Sequence, residues 1–140
     1  MSGYIPASLR AEVVLRANDR CEYCLLAQAG QAAQFHIDHV IPVTSGGQTV
    51  SDNLALACVA CSLRKAAKVH ATDPATSEAV TVFNPRQQRW TEHFRWEGFH
   101  IVGLTPTGRA TIEALNMNRA LMVAIREEED LLGRHPASSS

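Results

Sequence analysis

The stretch FHIDHVIPVTSGGQTVSDNLALACVACSLRK, residues 35–65, holds most of the side chains in this sequence that could form a reactive site. Asp38 and His39 lie near its start, and the pair Gly46 and Gly47 marks a loop. A Cys-x-x-Cys pair closes the stretch, and a second such pair precedes it. The pattern therefore predicts a hairpin stapled by a metal ion, with polar reactive groups between the two cysteine pairs.

The four cysteines form two pairs of identical spacing, which favours a metal site over unrelated thiols. This spacing lets each pair bind a metal from one turn, and four thiolates complete the tetrahedral shell of a structural zinc ion. Two other interpretations stay open: cysteines packed as small apolar groups, and a redox pair, whose usual strand-helix context is missing. The predicted zinc ligands are Cys21, Cys24, Cys58 and Cys61.

Local periodicity around these residues predicts short helices and strands. Pro6 is a suitable helix start, and the apolar residues after it recur at helical spacing. Alternation favours a strand on each side of the Gly-Gly loop. A helix after the second strand would place Arg64 and Lys68 on one face. The predicted elements are a helix at 7–17, strands at 34–38 and 53–57, and a helix at 59–70.

The sequence beyond Asp73-Pro74 has its own hairpin and helices. Aromatic and β-branched residues alternate on both sides of Glu97-Gly98, which predicts a hairpin over residues 93–105. Asn118 is suited to cap the last helix and Gly133 to end it. The apolar side of that helix favours packing on the domain over pairing with a second copy. The other predicted elements are an extended segment at 80–83 and helices at 107–115 and 119–132.

Composition and charge limit the class of protein. A chain of 140 residues, 46% of them hydrophobic, suffices for one domain with a core. The formal net charge of -1 gives no overall attraction to nucleic acid, so such contact needs a local basic patch. No apolar segment approaches the ~20 residues of a membrane span, and no signal peptide is recognisable. We therefore expect a soluble cytoplasmic protein, and that reducing compartment favours metal binding over disulfides for the two cysteine pairs.

Asp38, His39 and Asn53 combine the side chains that phosphodiester hydrolysis requires. That reaction needs an activated water and a cation at the phosphate. Histidine exchanges protons near neutral pH, so His39 is the candidate base, and Asn53 is placed to hold its other ring nitrogen. Asp38 offers the hard oxygen that Mg²⁺ prefers, although alternation directs it away from His39. Turn or capping roles are the alternatives for Asp38 and Asn53.

The succession CEYC, HIDHVIP, Gly-Gly, DNLALAC and Cys-x-x-Cys followed by Lys65 resembles the zinc-bearing, four-cysteine branch of the HNH endonuclease family. The resemblance covers residues 10–68. It implies a ββα-metal core, also called a His-Me finger, that cleaves nucleic acid with a divalent cation. It also implies that Asp38 is a catalytic metal ligand, that His39 is the general base and that Asn53 orients the base.

One position departs from that family pattern. Directly after the last cysteine the family usually has Asn or His as a second metal ligand, and this sequence has Ser62. Either Ser62 binds the cation directly or through a water, or His36 or His93 compensates, or the nuclease is impaired. His36 is the better of the two histidines because it shares a strand face with Asp38. Alternatively, Ser62 only caps the helix.

Basic and aromatic side chains offer contacts to nucleic acid. The predicted phosphate contacts are Arg64, Lys65 and Lys68, with a solvated helix face as the alternative. Trp90 and Trp96 could stack on bases, but core packing is favoured for at least one of them. The arginines that would accompany them are Arg86, Arg89 and Arg95.

Together these patterns predict an α+β fold: a ββα core with a four-cysteine zinc site, an N-terminal helix, and a C-terminal hairpin with helices. The expected domains are a core at 1–72, an extension packed on it at 73–135 and a disordered tail at 136–140. The expected activity is a metal-dependent endonuclease, with DNA as the favoured substrate, structural Zn²⁺ and catalytic Mg²⁺, Mn²⁺ or Ni²⁺. The alternative is a catalytically weak or inactive zinc module that binds nucleic acid or protein. We expect a monomer or homodimer without membrane contact.

Overall fold

The computed structural model describes residues 4–137, and within this range the chain forms an α+β fold. Five α-helices accompany three two-stranded antiparallel sheets there, which confirms the predicted fold class. Part of the predicted disordered tail, residues 138–140, lies outside the described range. The elements are α1 (Ala7–Arg16), β1 (His36–His39), β2 (Leu54–Ala57), α2 (Val59–Lys65), β3 (His70–Thr72), β4 (Ala79–Thr81), α3 (Trp90–His93), β5 (Phe94–Glu97), β6 (His100–Gly103), α4 (Pro106–Leu115) and α5 (Ala120–Leu131).

The first sheet is the predicted hairpin, with bounds shifted by at most two residues. β1 and β2 pair in a regular antiparallel register, in which His36 is opposite Ala57 and His39 is opposite Leu54. The Gly-Gly pair shapes the loop between them. Gly46 has a φ of 89°, and a Cβ on Gly47 would lie 1.7 Å from the carbonyl oxygen of Ile41. The loop can therefore close tightly against the end of β1.

Helix α2 is shorter than predicted. It ends at Lys65 because Ala66 has a φ of 48°, outside the helical region. The chain then enters β3, which pairs with β4. The expectation that Arg64 and Lys68 share a helical face was therefore wrong, because Lys68 lies beyond the helix. Local periodicity missed the end of α2 because alanine is a strong helix former, so Ala66 gives no signal that the helix ends there.

The predicted C-terminal hairpin and helices are present. β5 and β6 pair around the predicted turn, and α4 begins after Thr105, whose hydroxyl accepts the Gly108 N–H. One capping prediction was wrong: Asn118 does not cap α5. Its amide instead bonds both backbone groups of Ile101, on β6, at 2.8 Å each. Gly133 follows α5 with a φ of 75°, as suits a residue that ends a helix.

One hydrophobic cluster joins the N-terminal and C-terminal parts. Trp90 and Trp96 are half-buried, and both pack against this cluster, as the core interpretation predicted. On α5, Met122 is buried and Ile125 is partly buried, whereas Leu121 is exposed. Within residues 4–137, no helix combines the length and apolarity needed to cross a membrane. The buried cluster includes Val13, Tyr23, Leu54, Leu56, Phe83, Phe94, Ile101, Leu115, Met117 and Met122.

Candidate active site

The two cysteine pairs come together at the ends of different elements. Cys21 and Cys24 lie in the loop after α1, where Leu25 has a φ of 65° and donates its N–H to the Cys21 carbonyl. Cys58 is the residue before α2, and Cys61 is in its first turn. In each pair the backbone N–H of the second cysteine points to the sulfur of the first at 3.4 Å. Such N–H groups favour the thiolate form that binds metal.

The geometry of the four sulfurs fits a tetrahedral metal. All four Sγ atoms lie within 4.8 Å of one another, and the Sγ atoms of Cys24 and Cys58 are 3.7 Å apart. A tetrahedral zinc ion with Zn–S bonds of about 2.3 Å separates its sulfurs by roughly 3.8 Å. The four cysteines are also buried and none forms a disulfide. This cluster can therefore bind a metal such as zinc, as the sequence predicted.

The close packing of the thiols shifts their pKa values in different directions. Hydrogen bonds from the neighbouring thiols lower the pKa of Cys58 far below its ordinary value. Hydrogen bonding among the thiols and burial raise the pKa of Cys24 and of Cys61. Four buried thiols packed this closely suit a bound cation, because metal ligation requires and stabilises the thiolate form.

Arg126 is a buried cation near this cluster that sequence reasoning missed. Its side chain is 2% exposed and donates to the carbonyl oxygens of Phe99 and Met117 at 2.9 and 2.7 Å. Burial lowers the pKa of Arg126, and the four thiols oppose that shift electrostatically. A guanidinium here offsets the negative charge that four thiolates bring. Sequence reasoning missed Arg126 because a single arginine in an amphipathic helix is normally an exposed residue.

Strand β1 directs its polar side chains to two different neighbours. His36 and Asp38 contact α2: Nδ1 of His36 lies 2.9 Å from the Ser62 hydroxyl, and Asp38 pairs with Lys65. His39 instead contacts the loop before β2, with Nε2 2.9 Å from the Thr49 hydroxyl. The regular register explains this, since neighbouring side chains of a strand point to opposite faces.

An open pocket of about 430 Å³ nevertheless unites these groups. Asp38 and His39 both line it, although their other contacts differ. Ser62 lines it from α2, together with His36 from β1. The pocket thus brings together the predicted base, the predicted carboxylate ligand and the serine that departs from the family pattern. Its remaining lining residues are Ile37, Pro42, Val43, Thr44, Ala66 and Ala67.

The Asp38 carboxylate is held on one of its two oxygens. Oδ2 accepts a hydrogen bond from the Tyr23 hydroxyl at 2.8 Å and lies 3.1 Å from Nζ of Lys65. Oδ1 has no hydrogen-bond partner within residues 4–137. Burial raises the pKa of Asp38 above its ordinary value, while Lys65 and Tyr23 act in the opposite direction. This arrangement fixes the carboxylate and leaves one oxygen for another ligand.

Asn53 does not contact His39 in the way that the sequence suggested. Its Oδ1 accepts the Ile41 N–H, and its Nδ2 donates to the carbonyl oxygens of Ile41 and Gln48, all at 2.9 Å. The expectation of a direct hydrogen bond to the base was therefore wrong. Asn53 instead closes the loop that also carries Thr49, the partner of His39. Asn53 therefore acts on the orientation of the His39 imidazole indirectly, by holding the loop that carries Thr49.

Two further expectations need correction because of the environment of α2. Lys65 was expected to contact phosphate, but it is 1% exposed and donates to the carbonyl oxygens of His39 and Val40. Ser62 was considered as a helix cap, but Cys58 is the capping residue and Ser62 lies within the helix. Arg64 is half-buried and Lys68 is exposed, so both remain candidates for phosphate contact.

His93 does not line the pocket. Its Nδ1 lies 2.6 Å from the Thr105 hydroxyl, and its ring packs on Phe83. Among residues 4–137, the only group of three or more His, Cys, Asp or Glu ligand atoms close enough to share a metal is the cysteine cluster. A catalytic cation would therefore depend on Asp38, on the Ser62 hydroxyl or the His36 imidazole, and on water.

Comparison with protein families agrees with this geometry. Residues 21–68 match the family model described as HNH endonuclease. These residues are therefore similar to an HNH endonuclease domain. The match spans both cysteine pairs, the hairpin of β1 and β2, and helix α2, so the resemblance seen in the sequence is confirmed. No curated protein and no solved structure matches the chain. An HNH domain associates the chain with nuclease or other nucleic-acid chemistry in general.

Two other side chains at the candidate active site, Tyr23 and Thr49, could hardly be recognised from the sequence. Tyr23 was only the variable residue of a Cys-x-x-Cys pair, yet it is fully buried and bonds Asp38. Thr49 looked like an ordinary loop residue, yet it is the hydrogen-bond partner of His39. Both contacts join residues distant in sequence, and no local periodicity encodes them. A tyrosine between two metal-binding cysteines is the only signal that could have suggested the first.

Proposed function

We propose that this HNH protein is a metal-dependent endonuclease that hydrolyses phosphodiester bonds of nucleic acid, with DNA as the favoured substrate. The observation that supports this most is the pocket at β1 and α2, about 430 Å³ in volume, into which Asp38, His39 and Ser62 converge. Within the family, the positions of Asp38 and His39 supply a metal ligand and a base.

His39 is the proposed general base. When Nε2 donates its proton to the Thr49 hydroxyl, Nδ1 is the ring nitrogen that can accept a proton from water. Asn53 keeps the Thr49 loop in place through its three hydrogen bonds to backbone atoms of Ile41 and Gln48. The strand therefore supplies the imidazole, and the loop fixes its tautomer and direction.

Asp38 is the proposed ligand of the divalent cation, through Oδ1, with Ser62 and His36 as the other candidates. Mg²⁺ or a related ion bound here would supply positive charge to the phosphate in the transition state. One carboxylate can suffice, because Mg²⁺ commonly keeps several waters and uses only one or two protein carboxylates. Ser62 and His36 bond each other, so a water or a rotated hydroxyl would complete their contact.

The cysteine cluster has a separate proposed role, which is to hold structural zinc. The cluster connects the loop before β1 to helix α2, on which Ser62 stands. Because all four positions are cysteines, no place is open for water or substrate, as is typical of a structural rather than a catalytic zinc ion. Arg64, in the last turn of α2, and Lys68, beyond its end, remain the proposed phosphate contacts.

Plasmid nicking tests this proposal. Purified protein should nick supercoiled DNA in the presence of Mg²⁺, Mn²⁺ or Ni²⁺. The variant His39→Ala should lose roughly 10²–10⁴-fold in rate, since it lacks the general base. His100→Ala is the matched control, because His100 is exposed on β6 and does not line the pocket. Equal nicking by wild type and His39→Ala would refute the proposed base, and no nicking by the wild type with any of the three ions would refute the endonuclease.

One observation favours a second function, that of a zinc module that binds nucleic acid or protein without cleaving. Ser62 replaces the usual ligand and is already bonded to His36, and Oδ2 of Asp38 already has two partners. A silent module of this kind would still bind DNA. Its binding would weaken as salt rises and would decrease in Arg64→Ala and Lys68→Ala. Binding without nicking in any of the three cations would favour this alternative.

A further inference from the structure

Tyr23 occupies a position between three parts of the molecule. It lies within the first cysteine pair, is fully buried, and its hydroxyl reaches Asp38 Oδ2 at 2.8 Å. The C-terminal part fixes its other atoms. Trp90 Nε1 donates to the Tyr23 carbonyl oxygen at 2.9 Å, and the ring of Phe83 meets the tyrosine ring edge-on at 6.5 Å between centroids.

The neighbouring residue is held in the same way. Glu22 forms an ion pair with Arg86, and its other carboxylate oxygen accepts the Leu56 N–H of β2 at 2.8 Å. The segment from Phe83 to Trp90 therefore contacts both residues between the two cysteines. This gives the tyrosine ring little freedom, since its backbone and its ring are each fixed by a separate contact.

We infer that Tyr23 is a positioning residue, which orients the Asp38 carboxylate so that Oδ1 can bind a divalent cation. The inference rests on the proposed cation site at Asp38. A carboxylate can rotate about its last bond, and two donors on Oδ2 restrict that rotation. Lys65 is one of these donors and Tyr23 is the other. Hydrogen bonds of this kind to a ligating carboxylate set its direction and its affinity for metal.

The chemical state of Tyr23 suits this role. Its phenol hydroxyl lies 2.8 Å from Asp38 Oδ2 and can donate its proton to that oxygen. A protonated phenol donates to the carboxylate and does not repel it. The same contact connects the loop of the first cysteine pair to the candidate active site. The segment at 83–90 thereby supports that site without lining its pocket.

Binding of Mn²⁺ to the zinc-loaded full-length protein tests the inference, because it reports the cation site directly. We expect Tyr23→Phe to weaken Mn²⁺ binding roughly 10-fold, measured from the electron paramagnetic resonance signal of free Mn²⁺. Zinc content and folding should be retained, since the ring remains. Thr76→Val is the matched control. It also removes a hydroxyl that donates to a buried carboxylate, Oδ2 of Asp73 at 3.0 Å, and neither residue lines the pocket.

The outcomes separate this inference from the proposed activity. Unchanged Mn²⁺ affinity in a folded, zinc-loaded Tyr23→Phe overturns the positioning role, and nicking by the wild type would still support the endonuclease. An equal loss of affinity in Thr76→Val also overturns the role, because it would reflect general destabilisation. A loss in Tyr23→Phe alone supports the role even if the wild type fails to nick DNA. Absence of Mn²⁺ binding by the wild type refutes the cation site and the inference with it.

Discussion

Nζ of Lys65 lies 3.1 Å from Oδ2 of Asp38, and the two side chains are 1% and 8% exposed. Removing one partner of a buried ion pair leaves the other charge uncompensated, which typically costs about 3–5 kcal/mol. We therefore expect Lys65→Met to lower the free energy of unfolding by about that amount, although methionine fills much of the space. Urea denaturation at neutral pH measures the change.

Lys68→Met serves as the control for that measurement. Lys68 is exposed beyond the end of α2, and its Nζ contacts only the Arg64 carbonyl oxygen among residues 4–137. An exposed substitution of this kind changes stability by less than about 0.5 kcal/mol. If Lys65→Met and Lys68→Met lowered the free energy of unfolding by the same small amount, the buried pair of Lys65 and Asp38 would contribute nothing to folding.

A second ion pair predicts a dependence of stability on pH. Asp73 is buried and accepts from Nε and Nη2 of Arg109 at 3.0 and 2.9 Å. These bonds hold the pKa of Asp73 well below its ordinary value of 3.8. Because the folded pKa lies below the unfolded one, the stabilisation is complete above the unfolded pKa and is lost as pH falls through the folded pKa. It should therefore be intact near neutral pH and decline below about pH 4.

Asp73→Asn isolates that contribution. The melting temperature of the variant should be lower than that of the wild type near neutral pH, and the gap should narrow as the pH is lowered to about 2. Other carboxylates titrate in both proteins, so the difference between the two curves reports Asp73. A gap that stays constant over this range would show that the pKa of Asp73 is not depressed in the folded state.

Whether a feature of the fold could be predicted depends on how far apart in the sequence its interacting residues lie. The cysteine pairs, β1, β2 and the hairpin of β5 and β6 depend on spacing and alternation, which are local, and all were predicted. The burial of Lys65 depends on contacts with distant residues, the carbonyl oxygens of His39 and Val40, and it was not predicted. The end of α2 and strand β3 were also missed, whereas β4 overlaps the extended segment predicted at 80–83.

The candidate site was predicted to a similar degree. Asp38, His39 and Ser62 do line one pocket, as the family resemblance implied. The partners that orient them were not predicted: Asn53 bonds the loop rather than His39, and Thr49 and Tyr23 supply the side-chain contacts. A sequence motif identifies which residue types are present, whereas the hydrogen bonds that fix their directions depend on the folded neighbours.

Loss of one thiol should reveal the structural role of the cysteine cluster. The wild type should contain about one zinc per chain, and Cys58→Ser should contain much less, because a tetrahedral thiolate site would lose one of four ligands. Binding free energies of about 10–16 kcal/mol are known for structural zinc sites, which equals or exceeds the stability of most domains. We therefore expect the variant to be largely unfolded by circular dichroism.

Ser62→Ala is the control for the zinc measurement, because Ser62 follows the last cysteine but bonds His36 instead of the cluster. It should keep its zinc and its fold. Full zinc content and a normal melting curve in Cys58→Ser would contradict a structural metal at these four cysteines.

The side chain at position 62 should determine how strongly the candidate cation site binds its ion. The serine hydroxyl is short and lies 2.9 Å from Nδ1 of His36. An asparagine carbonyl oxygen reaches farther and is a better ligand for a hard cation. We therefore expect Ser62→Asn to lower the Mn²⁺ concentration that gives half-maximal nicking, by roughly 10-fold.

Ser77→Asn is the control for this measurement. It makes the same substitution at an exposed residue with a φ of 63°, a conformation that asparagine tolerates, and it should leave the metal dependence unchanged. If Ser62→Asn shows the same metal dependence as the wild type, position 62 does not reach the cation, and Asp38 must bind it with other partners.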